Sequence, residues 1–373
     1  MRPDHILHLG VKELWSLARD RIMLVLILFS FTVSIYSAST AVPETLHKAP
    51  IAIVDEDQSP LSQRIAGAFY PPRFLPPKMV TRDEMDARMD AGLDTFSLDI
   101  PPDFQRDVLA GRSPVIQLNV DATRVGQAFS GNGYVQEIVD GEVRAFVGRY
   151  RADARPPVDL AIRVRFNPNL TQSWFLAVMR LTEQVTMLAM ILTGAALIRE
   201  RERGTIEHLL VMPVTPFEIM TSKVWSMGLV VLIACALSLA FVVRGLLSVP
   251  IQGSISLFLC SAAIDLFAVT SLGILLATFA RSMPQFALLM ILVLLPLNAL
   301  SGGLTPRESM PEWIQVVMLG APTTHFVILA QGILFRGAGI DVVWRPFLAL
   351  TLIGITLFAA ALARFRRTIG TMA

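Results

Sequence analysis

The chain has 373 residues, of which 53% are hydrophobic and only 17% charged, against about 25% charged in ordinary soluble domains. A formal net charge of +2 lacks the Lys and Arg excess that tracking phosphates requires, so a nucleic-acid partner is excluded. Residues 43 to 172 hold 33 of the 62 charged side chains; a soluble-type block is embedded in a chain too apolar to be soluble, which excludes a single globular enzyme and a disordered chain.

In chain order, residues 1–21 come first. Leu7, Val11, Leu14, Trp15 and Ala18 share one helical face and Lys12, Ser16 and Arg19 lean to the other, which predicts an amphipathic helix at a membrane interface. The next stretch, 22–42, is long and apolar enough to cross a bilayer. Ser39 and Ala41 form a small-x-small pattern open to signal peptidase, but the long flank before the stretch argues for an uncleaved anchor.

Residues 43–172 alternate short β-branched runs with helical segments. Strands are predicted at Ile51–Val54, Phe96–Ile100, Val115–Val120 and Leu160–Phe166, and helices at Ser59–Phe69, Thr81–Ala91, Pro101–Ala110 and Val125–Tyr150. Interleaving of this kind predicts a small α/β domain. It holds no cluster suited to a metal or a nucleophile: its one histidine is His47, and Asp55, Asp57 and Asp121 sit at strand ends, where they read as turn caps. It also holds no cysteine, since Cys235 and Cys260 both lie in apolar runs.

Five more apolar stretches follow, at Trp174–Ile198, Val224–Leu247, Ile255–Ala280, Phe286–Leu304 and Pro346–Ala363. The expected fold is therefore an α-helical integral membrane protein with six transmembrane helices and an extracytoplasmic α/β domain inserted between helices 1 and 2. Lys and Arg in the short flanks set the orientation. Arg2, Lys12, Arg19, Arg21, Arg199, Arg201, Arg203, Lys223, Arg281, Arg364, Arg366 and Arg367 fall on one side; Arg244, Arg307, Arg336 and Arg345 fall on the other. Both termini are expected in the cytoplasm and residues 43–172 outside it.

Residues 199–221 join the second and third stretches. Gly204 breaks the helix leaving the membrane, and Thr205 caps a short new helix with Glu207 in its first turn. Ile206, Leu209 and Leu210 share a face of that helix, and Pro213 stops it. Thr215-Pro216-Phe217-Glu218 is a capping box that starts the next helix. The apolar stripe can rest on lipid or insert into a partner protein. Beyond the fifth stretch, Ser309-Met310-Pro311-Glu312 reads as a further capping box, with helices expected over Met310–Leu319 and Thr324–Phe335, both too short to cross.

Four ionisable groups lie within the apolar stretches: Arg180, Glu183, Arg244 and Asp265. Arg244 is near an outer end and can snorkel. Glu183 and Asp265 fall about 15 Å deep at 1.5 Å per residue, where an unpaired charge costs a few kcal/mol or more. Arg180 and Glu183 are three apart and can neutralise each other. Asp265 has no local partner and is expected to face the bundle interior or a subunit interface. Arg180, Glu183 and Asp265 are the candidates for a translocation pathway.

Glu200-Arg201-Glu202-Arg203-Gly204-Thr205-Ile206-Glu207-His208-Leu209, followed by Pro213, resembles the E-R-E-x-G-T-x-E-x-L…P signature of ABC-2 type transporter permeases. A second block, Leu300 to Trp313 with Pro322, His325 and Gly332 to Gly337, resembles the segment that family carries before its last span. The resemblance implies that Glu200, Arg201, Gly204, Thr205, Ile206, Glu207, Leu209, Leu210 and Pro213 form a coupling helix docking on an ABC ATPase subunit. It also implies a second permease subunit (homodimer or heterodimer) and, for the multidrug-type subgroup with a large outer domain, a periplasmic adaptor, or membrane fusion, protein. Residues 305–337 then cap the outer end of the pathway, with Pro306, Pro311, Pro322 and His325 as gate candidates.

The chain has four lysines, Lys12, Lys48, Lys78 and Lys223, and none stands in the glycine spacing of a phosphate-cradling loop. It is therefore not expected to be an enzyme or to bind a cofactor or metal. ATP and Mg belong on the partner ATPase. The function expected is the permease of an ATP-driven exporter of a drug-like or amphipathic solute in the cell inner membrane, with lipid as its surroundings. The alternatives are a proton-coupled secondary transporter using Glu183 and Asp265, or a mechanotransmission subunit acting through its outer domain.

Overall fold

The computed structural model describes residues 3–41, 46, 48–121, 125–150, 171–202, 214–303, 305 and 307–370. The chain divides into two compact units, Met1–Ala41 with Val164–Ala373, and Val42–Arg163.

The first unit opens with α1 (Pro3–Arg19) and α2 (Arg21–Thr40). Asp20 separates them and caps α2, accepting a hydrogen bond from the Met23 N–H at 3.2 Å, where a carboxylate meets the positive end of the helix. The face α1 buries is Gly10, Glu13 and Leu17, while Leu7 and Trp15 are 58% and 60% exposed. Gly10 explains this: a Cβ there would collide with the indole of Trp225, so only glycine lets α1 close on its neighbour. The apolar stripe is left facing outward, as an interfacial helix requires. In α2 a π-helical turn at Ser30–Ser34 displaces backbone carbonyls from their usual partners. One of them, that of Phe31, accepts the Ser238 hydroxyl at 2.6 Å.

The second unit contains, in order, β1 (Ile51–Asp55), α3 (Pro60–Gly67), β2 (Lys78–Met79), α4 (Arg82–Asp90), β3 (Phe96–Ile100), α5 (Phe104–Leu109), β4 (Gln117–Val120) and α6 (Val125–Tyr150). The sheet order is β2-β1-β3-β4, with β1 parallel to β2 and β3 and β4 antiparallel to β3. Ile51 pairs with Phe96 and Ile53 with Leu98, so both strands send alternate residues to one apolar face. That face packs with Leu61, Ile65, Phe74, Phe104 and Val135. The opposite face carries Ser97 and Asp99, where Arg82 reaches Asp99 at 2.6 Å; nearby Arg88 holds Asp94 at 2.7 Å. The hydrogen bond to Asp99 raises the Arg82 guanidinium above its ordinary value. A cavity of about 630 Å³ lies between β3, β4, α5 and α6, lined by Leu98, Phe104, Val108, Val135 and Val139, with Arg112 and Gln136 among its polar residues.

Expected and observed elements differ here in two places. Helix α5 begins at Phe104 rather than Pro101, because Asp103 takes a left-handed φ of 60° that ordinary helix cannot contain. The two-residue β2 is too short to leave a periodic trace. The strand expected at Leu160–Phe166 lies outside the described residues.

The first unit resumes with α7 (Gln172–Glu202), α8 (Pro216–Leu246), α9 (Ile255–Phe279), α10 (Met283–Ala299), α11 (Glu312–Met318), α12 (Pro322–Phe335) and α13 (Ile340–Gly370). Helix α7 is the most enclosed of the long helices, and α9 packs on α7, α8, α12 and α13. Among the described residues, five helices (α2, α7, α8, α9 and α13) are long and apolar enough to cross a membrane. The expected fifth span is shorter than the rest: α10 has 17 residues, about 25 Å, and stops near Leu300, before Gly302 turns at φ 93°. Helices α11 and α12 are bent by 91° to each other. The capping box expected at Ser309 is absent: Ser309 ends a 3₁₀ turn, and α11 starts after Pro311 with no side-chain cap. Leu288, Leu292 and Leu295 on α10 and Trp344, Leu348 and Leu352 on α13 are exposed, an apolar exterior suited to lipid.

Candidate functional site

The charged residues at the end of α7 turn inward. Lys223, in the second turn of α8, is only 1% exposed. Its Nζ lies 2.8 Å from Glu13 Oε1 of α1 and 2.8 Å from Glu200 Oε2 of α7. Lys12 Nζ adds a contact of 3.3 Å to Glu200 Oε1. Two acids thus share one buried cationic partner, the condition under which burial of charge is tolerated.

The residues flanking Glu200 extend the network. The Arg199 guanidinium meets Asp20 at 2.7 Å, at the α1–α2 junction. Arg201 donates to the Ala280 carbonyl at 2.8 Å, just past α9, and Glu202 accepts from the Met283 N–H at 2.9 Å, at the start of α10. Four consecutive side chains therefore tie the end of α7 to α1, α2, α8, α9 and α10. Across the gap the Thr215 capping box forms as expected: Thr215 Oγ1 accepts from the Glu218 N–H, and Glu218 accepts from the Thr215 N–H at 2.8 Å. Both roots of the intervening segment are fixed to the bundle.

Gly204, Thr205, Ile206, Glu207, Leu209, Leu210 and Pro213 lie outside the described residues. Glu200 and Arg201, expected to dock on an ATPase, have partners within the chain, as do Arg199, Glu202, Glu218 and Lys223. The sequence reading missed this because Glu13 and Asp20 are remote in sequence from Lys223 and Arg199; the available signal was an acid, Glu13, within the amphipathic segment.

Arg180 and Glu183 form an ion pair at 2.7 Å on α7. Glu183 also lines a narrow cleft with Thr182, Thr186, Asn298, Ser301 and Thr323, drawn from α7, α10, α12 and the turn after α10. These hydroxyls and the amide were not singled out from sequence; single Ser, Thr and Asn residues within apolar stretches were the available signal. Thr182 and Ser301 donate to nearby backbone carbonyls, at 2.7 and 2.8 Å. Asp265 does not line the cleft. It is fully buried in α9, and neither carboxylate oxygen has a hydrogen-bond partner.

Among the gate candidates, Pro306 is outside the described residues. Pro311 immediately precedes α11, and Pro322 opens α12. The Nε2–H of His325 donates to the Leu319 carbonyl at 2.9 Å, which braces the bend between the two helices. No group of three or more His, Cys, Asp or Glu side chains placed to hold a metal occurs among the described residues.

Comparison with known proteins bears on the whole chain. The model of the ABC-2 family transporter protein matches residues 22–363. The inner membrane transport permease YhhJ of Escherichia coli (strain K12) is 63% identical over 369 residues, covering 99% of both chains. The probable multidrug ABC transporter permeases YbhR and YbhS of the same organism are 28% and 26% identical, covering 96% and 87% of this chain and 97% and 84% of their own. With five helices long enough to cross a membrane and a match that runs from α2 into α13, the chain belongs to the ABC-2 family of transporter proteins.

Proposed function

We propose that this chain is the membrane-spanning permease subunit of an ATP-driven exporter in the inner membrane, with ATP and Mg bound by a separate ATPase subunit. The observation that carries this reading is the fixing of both roots of residues 203–213. Arg199 to Glu202 tie one root to five helices, and the Thr215 capping box sets the other. A segment whose two ends are held in this way can pass force from an ATPase into the bundle rather than absorb it. The names of YhhJ, YbhR and YbhS as transport or multidrug ABC transporter permeases support the same class, with a drug-like or amphipathic solute as its cargo.

In this reading α10 is the sixth crossing, its shortfall taken up by local bilayer thinning. Both termini then face the cytoplasm, and residues 43–172, the periplasm, where an adaptor docks. Helices α11 and α12 re-enter from the outer side. Two copies, or this chain and a similar permease, enclose the pathway. Proton-driven transport fits less well: Glu183 is neutralised by Arg180 and Asp265 lies off the cleft, so the two form no relay. A mechanotransmission role keeps one supporting observation, the independent core of the outer unit.

The test is co-purification with the ATPase and measurement of ATP turnover. Gly204→Pro and Glu207→Ala are expected to change turnover without dissociating the complex. Survival of ATPase binding after joint replacement of Leu209, Leu210 and Glu207 would overturn the coupling reading.

A further inference from the structure

A lysine at the boundary of a membrane helix ordinarily runs its four-carbon stem along the helix and places its ammonium in water. Lys223 does the opposite. It is 1% exposed and holds two carboxylates from two other helices at 2.8 Å each. A buried ionic group is an expensive way to hold helices together, since apolar side chains of similar volume do so at no loss and often at a gain. What the ionic arrangement adds is a defined geometry. One ammonium with three donors fixes α1, α7 and α8 at a single point.

That point lies on the stripe by which α1 meets α8. Gly10, Glu13 and Leu17 are spaced three and four apart, so they share one face. Gly10 admits the Trp225 ring, and the Trp225 indole N–H donates to the Ile6 carbonyl at 3.3 Å. These contacts join α1 to α8 alone. Glu200 brings in α7, two residues before the end of that helix.

We infer that Lys223 is a positioning residue for energy coupling, which locks α1, the end of α7 and the start of α8 into one rigid body so that displacement of residues 203–213 reaches α1 and α8 together. This rests on the coupling reading above. Without the ammonium, Glu13 and Glu200 face each other as buried like charges, and α1 swings away from the root it should move with. Lys12, more exposed and bound to Glu200 alone, cannot replace it.

The test uses the full chain in nanodiscs, alone and with its ATPase. Amide exchange over residues 3–19 reports the lock, and ATP turnover of the complex reports coupling. Lys223→Met is expected to speed exchange in α1 about 100-fold, as loss of one partner of a buried pair predicts, and to abolish the stimulation of turnover. Lys223→Arg should retain part of both. The triple variant Glu13→Met, Lys223→Met, Glu200→Met should restore protection and coupling, because it rejoins the helices without charge; it also covers the case in which the single variant fails to fold. Wild-type exchange in Lys223→Met overturns the inference and leaves the coupling reading standing. So does a triple variant with a protected α1 but no coupling. If turnover of the wild-type complex is indifferent to Gly204→Pro, the coupling reading itself fails, and the role of Lys223 with it.

Discussion

Glu13, in the first helix, and Glu200, at the end of α7, approach the same atom, the Nζ of Lys223, at 2.8 Å each. Two acids far apart in the chain are thereby joined through a lysine on a third helix. The arrangement makes the end of α7 a structural junction.

Asp20 has two tasks, capping α2 and pairing with Arg199. Asp20→Asn keeps a capping oxygen, whereas Asp20→Ala loses both. We expect Asp20→Ala to cost about 1–2 kcal/mol, the sum of a lost cap and a partly exposed ion pair, and Asp20→Asn less than half as much. Thermal unfolding of the detergent-solubilised chain ranks the two variants; equal losses would show that the cap contributes nothing.

Gly10 and Leu7 lie one turn apart on α1 but face different surroundings. Gly10→Leu should drive α1 off Trp225 and open residues 3–19 to protease, because the ring occupies the place of the new side chain. Leu7→Gln should leave that contact intact and weaken only attachment to lipid, since Leu7 faces outward. Protease cleavage rates in α1 separate the two; equal sensitivity would contradict the assigned faces.

Asp265 is buried with neither oxygen hydrogen-bonded. Its replacement by leucine removes an unsatisfied polar group and should leave thermal stability unchanged or raise it by about 1–3 kcal/mol. If Asp265 serves transport, Asp265→Leu will fold and insert normally yet lose flux, while Asp265→Asn will retain part of it. Wild-type flux in the leucine variant would remove Asp265 from the pathway.

The second unit has its own core around Phe96, Phe74 and Leu61. Residues 43–172 expressed alone should give a soluble domain with a single cooperative urea transition. Phe96→Ala should lower its stability by about 3–5 kcal/mol. Arg88→Ala should cost a few kcal/mol by leaving Asp94 buried without its guanidinium, whereas the exposed Gln117→Ala should stay within about 0.5 kcal/mol. A broad, non-cooperative transition would deny the unit an independent fold.

Much of the fold was legible in the sequence because its signals are local. Apolar runs marked the long helices, alternation marked β1, β3 and β4, and the Thr215 box appeared where its residues predicted it. Errors arose where local pattern and tertiary context diverge. Ser309 has the spacing of a cap but sits in a 3₁₀ turn, and Asp103 delays α5 through a backbone angle that composition does not reveal. The candidate site was legible only as a motif. Glu200 and Arg201 could be read from the loop, but that Lys223 turns inward to Glu13 is a long-range fact carried by no periodicity. That a glycine and a glutamate of α1 face inward was hidden for the same reason.

The central claim is ATP-driven export through this subunit, and the most direct measurement is uptake of a fluorescent amphipathic dye by inverted vesicles carrying the chain with its ATPase. The expected result is uptake that requires ATP hydrolysis, persists when the proton gradient is collapsed, and is lost in Lys223→Met. Uptake that continues without ATP hydrolysis and stops when the proton gradient is dissipated would contradict it.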